Sequence, residues 1–235
     1  MISKAHVSAL LTAAVSITFA ASPFFVQDFS GFDPDQFPVA QEDPPVVPAG
    51  YAFSIWGVIY LWLVVGMIWG LFRRAEDYRW DEMRRPLCVS LAVGTAWLAV
   101  AVVSPVWASV LIWIMLLTAL TALFLSPEDD AGWATLPIGL YAGWLSAASC
   151  VSLGLLSAGY GLFSQETAAL VFIGVAIALG AAIQARLRRA PTYGMAVIWA
   201  LLAVAFDSWN ESTAVFSLAL AGAALVLLPT LRALR

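Results

Sequence analysis

From Pro48 to Gly70 the chain reads PAGYAFSIWGVIYLWLVVGMIWG, a run with no charged side chain that is closed by Arg73 and Arg74. A helix of that length spans a hydrocarbon core of about 30 Å, and in lipid only a helix or a closed barrel satisfies its own peptide groups. Three of the eleven tryptophans lie on this stretch. Other segments resemble it: of 235 residues, 62% are apolar and only 11% charged. That balance moves the chain out of the soluble class and into the membrane class. The expected fold is all-α, a polytopic transmembrane bundle of about eight helices in contact with the lipid bilayer.

The runs are bounded by turn and charge signals. A first apolar run, Val7 to Val26, follows Lys4; it reads as an uncut helix rather than a signal peptide, because it continues past the small-x-small site at Thr18-Phe19-Ala20. Gln27 to Pro48, rich in Asp, Glu and Pro, reads as an extended loop on the water side, and Tyr51 to Phe72 as the second helix. Arg73 to Arg85 reads as a mixed-charge solvated turn. Helices three and four, Leu87 to Val103 and Trp107 to Leu125, are separated by Ser104-Pro105-Val106, where proline removes a donor. Helix five is Trp133 to Leu156, helix six Ala168 to Leu187, helix seven Pro191 to Phe206 and helix eight Ser212 to Leu231. With an inside N-terminus, every Lys and Arg from Lys4 to Arg235 falls on the cytoplasmic side. The acidic turn Ser126 to Gly132 is the weak point of that arrangement. Both termini are expected in the cytoplasm, and a bacterial inner membrane suits the chain.

Charge and cysteine usage exclude several function classes. Eleven basic against fifteen acidic residues give a formal charge of −4, which offers nothing to nucleic acid. Cys88 and Cys150 have no motif spacing and His6 is the only histidine, so neither a metal centre nor a disulfide is expected. No span carries a charged residue near its centre, which argues against a proton relay. No hydrolase or phosphate motif is present, so the reading is non-enzymatic with no resident cofactor.

The aromatic residues are more informative. Trp107, Trp133 and Trp209 fall at helix ends, where tryptophan anchors at the interface. Trp56, Trp62, Trp97, Trp113, Trp144 and Trp199 fall inside spans, and their indole N–H groups call for partners in the bundle interior. On helix two, Trp56, Tyr60 and Leu63 share a face, while Gly66 and Gly70 form a close-approach patch. On helix five, Pro137, Tyr141, Trp144, Ala148 and Ser152 form one stripe, with Gly139 and Gly143 on a neighbouring face. Two such helices, packed closely through glycines, would border a flat apolar cavity.

These residues resemble the translocator-protein family, also called tryptophan-rich sensory proteins (TspO/MBR). Pro48, Gly50, Tyr51, Phe53, Trp56 and Tyr60 are similar to its second-helix pattern P-P-G-W-V-F-G-P-V-W-x-x-L-Y, read with a one-residue deletion between Phe53 and Trp56. Tyr141-Ala142-Gly143-Trp144, with Ser152 eight residues beyond, resembles its fifth-helix motif, in which the last position is Asn. The third-helix Asn-Trp-x-Trp-x-Pro run is reduced to Trp97 and a distant Pro105. The likeness covers residues 6 to 157, so the chain divides into a TspO-like five-helix core (1–157) and a three-helix extension (158–235). The resemblance implies a protein, often a homodimer, that binds porphyrin, haem or sterol-like ligands for sensing or transport. Residues expected to contact such a ligand are Tyr51, Trp56, Tyr60, Trp97, Tyr141, Trp144 and Ser152. Two rivals remain open: a membrane scaffold, or a small transporter or lipid-modifying enzyme. The latter would bring Gln184, Asp207 and the Glu166 loop to one water-filled cavity.

Overall fold

One helix is buried on nearly every side, and the rest are arranged about it. The computed structural model describes residues 3–26 and 31–234. Its helices are α1 (Lys4–Ala21), α2 (Ile55–Arg73), α3 (Tyr78–Ala101), α4 (Pro105–Leu125), α5 (Thr135–Gly159), α6 (Gln165–Leu187), α7 (Pro191–Asp207) and α8 (Thr213–Arg232). No strand occurs among the described residues. Seven of the eight helices are long and apolar enough to cross a membrane, and α3 is set apart by its charged first turns. The chain is therefore a multi-pass integral membrane protein in contact with lipid.

The central helix is α5. It packs against α4 on one side and against α6 and α7 on the other; α3 lies along α4, α1 bridges α3 and α2, α2 touches α5, and α8 closes on α6 and α7. Small residues make this possible. A Cβ on Gly143 would lie 2.2 Å from the Tyr193 carbonyl oxygen, and one on Gly139 would lie 2.6 Å from Thr192 Oγ1. The α5 glycines therefore admit α7, whereas Gly66 of α2 sits against the Trp133 carbonyl and Gly70 against the Trp80 ring. Two phenol–serine bonds tie the flanks together: the Tyr141 hydroxyl meets Ser90 of α3 at 2.9 Å, and Tyr193 of α7 meets Ser146 at 2.9 Å.

Helix boundaries follow local chemistry. Ser104 caps α4 by accepting from the Trp107 N–H, and Pro105 occupies the first helical position, so the break expected there is present. The solvated turn expected from Arg73 to Arg85 is shorter than that. Asp77 accepts from the N–H groups of Arg79 and Trp80 and starts α3 at Tyr78, which buries Trp80, Met83, Arg84, Leu87 and Leu91 along one face. The segment read as an extended water-side loop also differs. Its described part folds back onto the bundle: Phe37 fills the space over Gly159, Val46 that over Gly154, and the Val39 N–H donates to the Gly159 carbonyl at 2.9 Å. Gln36 Nε2 donates to the Val102 carbonyl at 2.8 Å, anchoring the segment to the end of α3. Asp28, placed in that loop, and Arg235, placed among the cytoplasmic basic residues, lie outside the described residues.

Charges sort to the two ends. Arg74–Asp130 (2.8 Å), Arg79–Asp129 (3.1 Å) and Arg189–Glu128 (3.0 Å) join the α2–α3, α4–α5 and α6–α7 connections at one end. The acidic turn that fitted the charge rule poorly is thus the counter-charge to the arginines around it. Hydrogen bonding from Arg74, aided by Trp80 Nε1 at 2.9 Å, holds the Asp130 carboxyl below its ordinary value of 3.8 against a smaller opposing effect of burial. A carboxyl depressed in the folded state adds stability above its unfolded pKa and loses it as pH falls through the folded one. The unfolding temperature is expected to be flat from neutrality to about pH 4.5 and to fall below about pH 4. Asp130→Asn should flatten part of that decline; identical pH profiles for the two proteins would show that the pair carries no linkage.

Candidate ligand cavity

The lower half of the α5 stripe faces open space. A cavity of about 300 Å³ lies there, within the range of small-molecule sites. Trp144, Ala148, Ser152 and Leu155 line it from α5, at the spacing of one helical face. Phe172, Ile173 and Ala176 of α6 form a second wall, and Ala200, Leu201 and Val204 of α7 a third. The folded-back segment contributes Phe37, Gln41, Asp43 and Val46, and Trp97 and Ile112 complete the lining from α3 and α4. From α2 and its lead-in turn (Gly50–Ser54) only Phe53 takes part, so the cavity is bordered by helix five with helices six and seven, instead of by helices two and five.

Of the seven expected contact residues, Trp97, Trp144 and Ser152 line the cavity. Trp97 is fixed by its indole N–H, which donates to the Ala108 carbonyl at 2.9 Å. Trp56 and Tyr60 stack on each other at 5.2 Å, with Phe19 of α1 edge-on to both and Tyr141 alongside. This aromatic cluster backs the wall, because the Trp56 and Trp144 rings meet edge to face at 6.3 Å. Tyr141 is fully buried and spends its hydroxyl on Ser90. Tyr51 stands on the outside of the bundle, edge-on to Trp199 and Phe206. Trp199 itself donates its indole N–H to the Ala52 carbonyl at 3.0 Å.

The polar groups of the lining are few. Ser109 donates its one hydroxyl hydrogen to the Pro105 carbonyl at 2.8 Å, so the short Ser109–Ser152 contact runs from Ser152 as donor. Ser152 then offers only lone pairs to anything in the cavity. Gln41 is 4% exposed; its Nε2 donates to the Val39 and Ala40 carbonyls, and its Oε1 has no partner. Trp144 Nε1 is likewise buried without a partner. Among the described residues no group of His, Cys, Asp and Glu is placed to hold a metal, and both cysteines are free thiols.

The cavity residues contributed by α6, α7 and the folded-back segment were missed in the sequence. A signal was present in Phe32, Phe37, Val46 and Val47, apolar side chains spaced through an otherwise acidic, proline-rich stretch. The residues expected to converge in a transporter or enzyme do not line the cavity. Gln184 accepts from the Gly194 N–H at 2.7 Å at the arginine-rich end, whereas Glu166 accepts from Ser212 at 2.6 Å at the opposite one. Asp207 ends α7 at that opposite end.

A family model described as TSPO-like protein matches residues 6–232, a stretch that includes α6, α7 and α8. No curated protein and no solved structure matched the chain. With a match over nearly its whole length, this helical membrane protein belongs to the TSPO-like family.

Proposed function

We propose that the protein binds a flat hydrophobic small molecule in the cavity between α5, α6 and α7, in order to sense it or move it. The observation that carries this reading is the cavity itself, apolar and aromatic on most sides and bordered along one side by residues 31–48. The family resemblance makes tetrapyrroles and sterols the first compounds to test. In this reading Trp97 and Trp144 supply ring contacts and Ser152 a hydrogen-bond acceptor, while the Trp56–Tyr60–Tyr141 cluster keeps Trp144 in place. The five-helix core with its three-helix extension, a homodimer, cytoplasmic termini and a bacterial inner membrane belong to the same proposal.

The test is saturable quenching of tryptophan fluorescence by protoporphyrin or a fluorescent sterol, compared between the native protein and Ala148→Trp. The native protein should quench to saturation with one site. The variant places an indole in the cavity and should lose at least tenfold in affinity while keeping its helical content. Equal titrations of the two proteins would move the ligand elsewhere and overturn the reading.

A further inference from the structure

The charge around the cavity selects among hydrophobic ligands. Every Lys and Arg among the described residues belongs to the end of the bundle that carries the Arg74, Arg79 and Arg189 ion pairs, and none lines the cavity. The opposite end carries Asp33, Asp35, Glu42, Asp43, Glu166, Asp207 and Glu211. Asp43 lines the cavity, and its charge acts on the carboxylate of Asp207 at the end of α7. A rim of one sign without counter-charge attracts the opposite sign over a range of about a Debye length, roughly 8–10 Å.

An acidic rim alone would be a solvated surface. The lining adds an independent observation, the buried Gln41 side chain whose Oε1 has no donor within reach. A buried acceptor without a partner is costly, and a ligand N–H would remove that cost. Ser152 is also restricted to accepting by its bond to Ser109. Around these acceptors stand the rings of Phe37, Phe53, Trp97, Trp144 and Phe172, faces that attract a cation placed against them. Trp144 Nε1, a donor without a partner, would be met by an acceptor atom on the ligand body.

We infer that the ligand is an amphiphilic organic cation, an apolar body bearing an ammonium group, with the ammonium at Asp43 and Gln41 and the body between α5, α6 and α7. This rests on the cavity reading and names the charge class of its ligand. The same rim ranks a carboxylate-bearing ring such as an unmodified porphyrin below an uncharged ligand of like shape, so of the two compounds named above the sterol should saturate at the lower concentration.

Three probes of matched shape separate the cases: 2-(2-naphthyl)ethylammonium, 2-(2-naphthyl)ethanol and 2-naphthylacetate. Binding would be followed by calorimetry to the full-length protein in zwitterionic lipid nanodiscs, with empty discs as the blank. The ammonium should bind about fivefold more tightly than the alcohol, and the carboxylate most weakly. Raising the salt about tenfold should weaken the ammonium alone. In Asp43→Asn/Asp207→Asn the ammonium and alcohol should come within about twofold of each other. Asn suits position 43, where φ is +42°. Equal binding of ammonium and alcohol by the native protein, or a preference that survives the double substitution, would overturn the cation assignment and leave the cavity reading standing. If none of the three bound, or if Ala148→Trp left their affinities unchanged, the cavity reading would fall and the assignment with it.

Discussion

Replacing Arg84 with alanine is expected to destabilise the protein by about 3 kcal/mol, the largest loss for any single arginine. Arg84 lies on the buried face of α3 and is 1% exposed. Its Nη2 donates to the Gly70 carbonyl at 2.9 Å, and its Nη1 donates to those of Arg74 and Ala75 at 3.1 and 3.3 Å. The Gly70 and Arg74 carbonyls also accept the backbone N–H groups of Arg74 and Asp77, so the guanidinium takes their second lone pairs, adds Ala75, and sits at the negative end of the α2 dipole. It also lies over the Trp80 ring, 5.1 Å from the centroid. Alanine would leave those carbonyls in a pocket sized for a guanidinium. In detergent, the unfolding temperature should fall by roughly 6–12 °C. Arg84→Lys should recover less than half of this, because one ammonium cannot fork between Gly70 and Arg74. An alanine variant that unfolds within about 2 °C of the native protein would show that water replaces the cap without loss.

Arg84 also shows why part of the fold was hard to read. Spans were legible because about 20 uncharged residues in lipid leave the backbone little choice but a helix. The proline at 105 marked the break before α4 with equal clarity, whereas the cap at Ser164 went unread and α6 starts at Gln165, three residues before the expected Ala168. The stretch from Tyr78 to Arg85 looked solvated because it is dense in charge. Its helical spacing, with Trp80, Met83, Arg84 and Leu87 on one side, was outweighed by composition. A charge buried by hydrogen bonds to carbonyls leaves no mark in a hydropathy profile.

The site was legible in part for a related reason. Periodicity placed Trp144, Ala148 and Ser152 on one face of α5, and the structure opens that face to the cavity. It could not say which helix stood opposite. Gly66 and Gly139 were both recognisable as close-approach positions, yet Gly66 meets the start of α5 and Gly139 meets α7. Pairing among helices is a property of the whole bundle, and a single glycine patch fits many partners. The phenol of Tyr141 likewise belongs to an α3–α5 hydrogen bond that its position on the α5 stripe could not reveal.

The second large effect is expected at Gly143. A Cβ there would meet the Tyr193 carbonyl oxygen at 2.2 Å and the Ala196 Cβ at 2.9 Å. The first contact is with backbone, so no rotamer change relieves it and α5 and α7 must separate. Helix propensity favours alanine over glycine by about 1 kcal/mol, which makes this a demanding test. Overpacking should still outweigh it and leave a net loss of about 2 kcal/mol. Gly174 of α6 is the control, since a Cβ there meets nothing within 4 Å; Gly174→Ala should gain up to about 1 kcal/mol. The consequences reach the cavity, because Ala196 and Ala200 are one turn apart on α7 and Ala200 belongs to its wall. Moving α7 outward would also stretch the Tyr193–Ser146 bond, now 2.9 Å. Gly143→Ala should therefore lose ligand affinity together with stability, whereas Gly174→Ala should leave affinity unchanged. If both variants unfolded at the native temperature, the α5–α7 seam would be loose enough to admit a methyl group, and the close approach that shapes this cavity wall would not be what holds it.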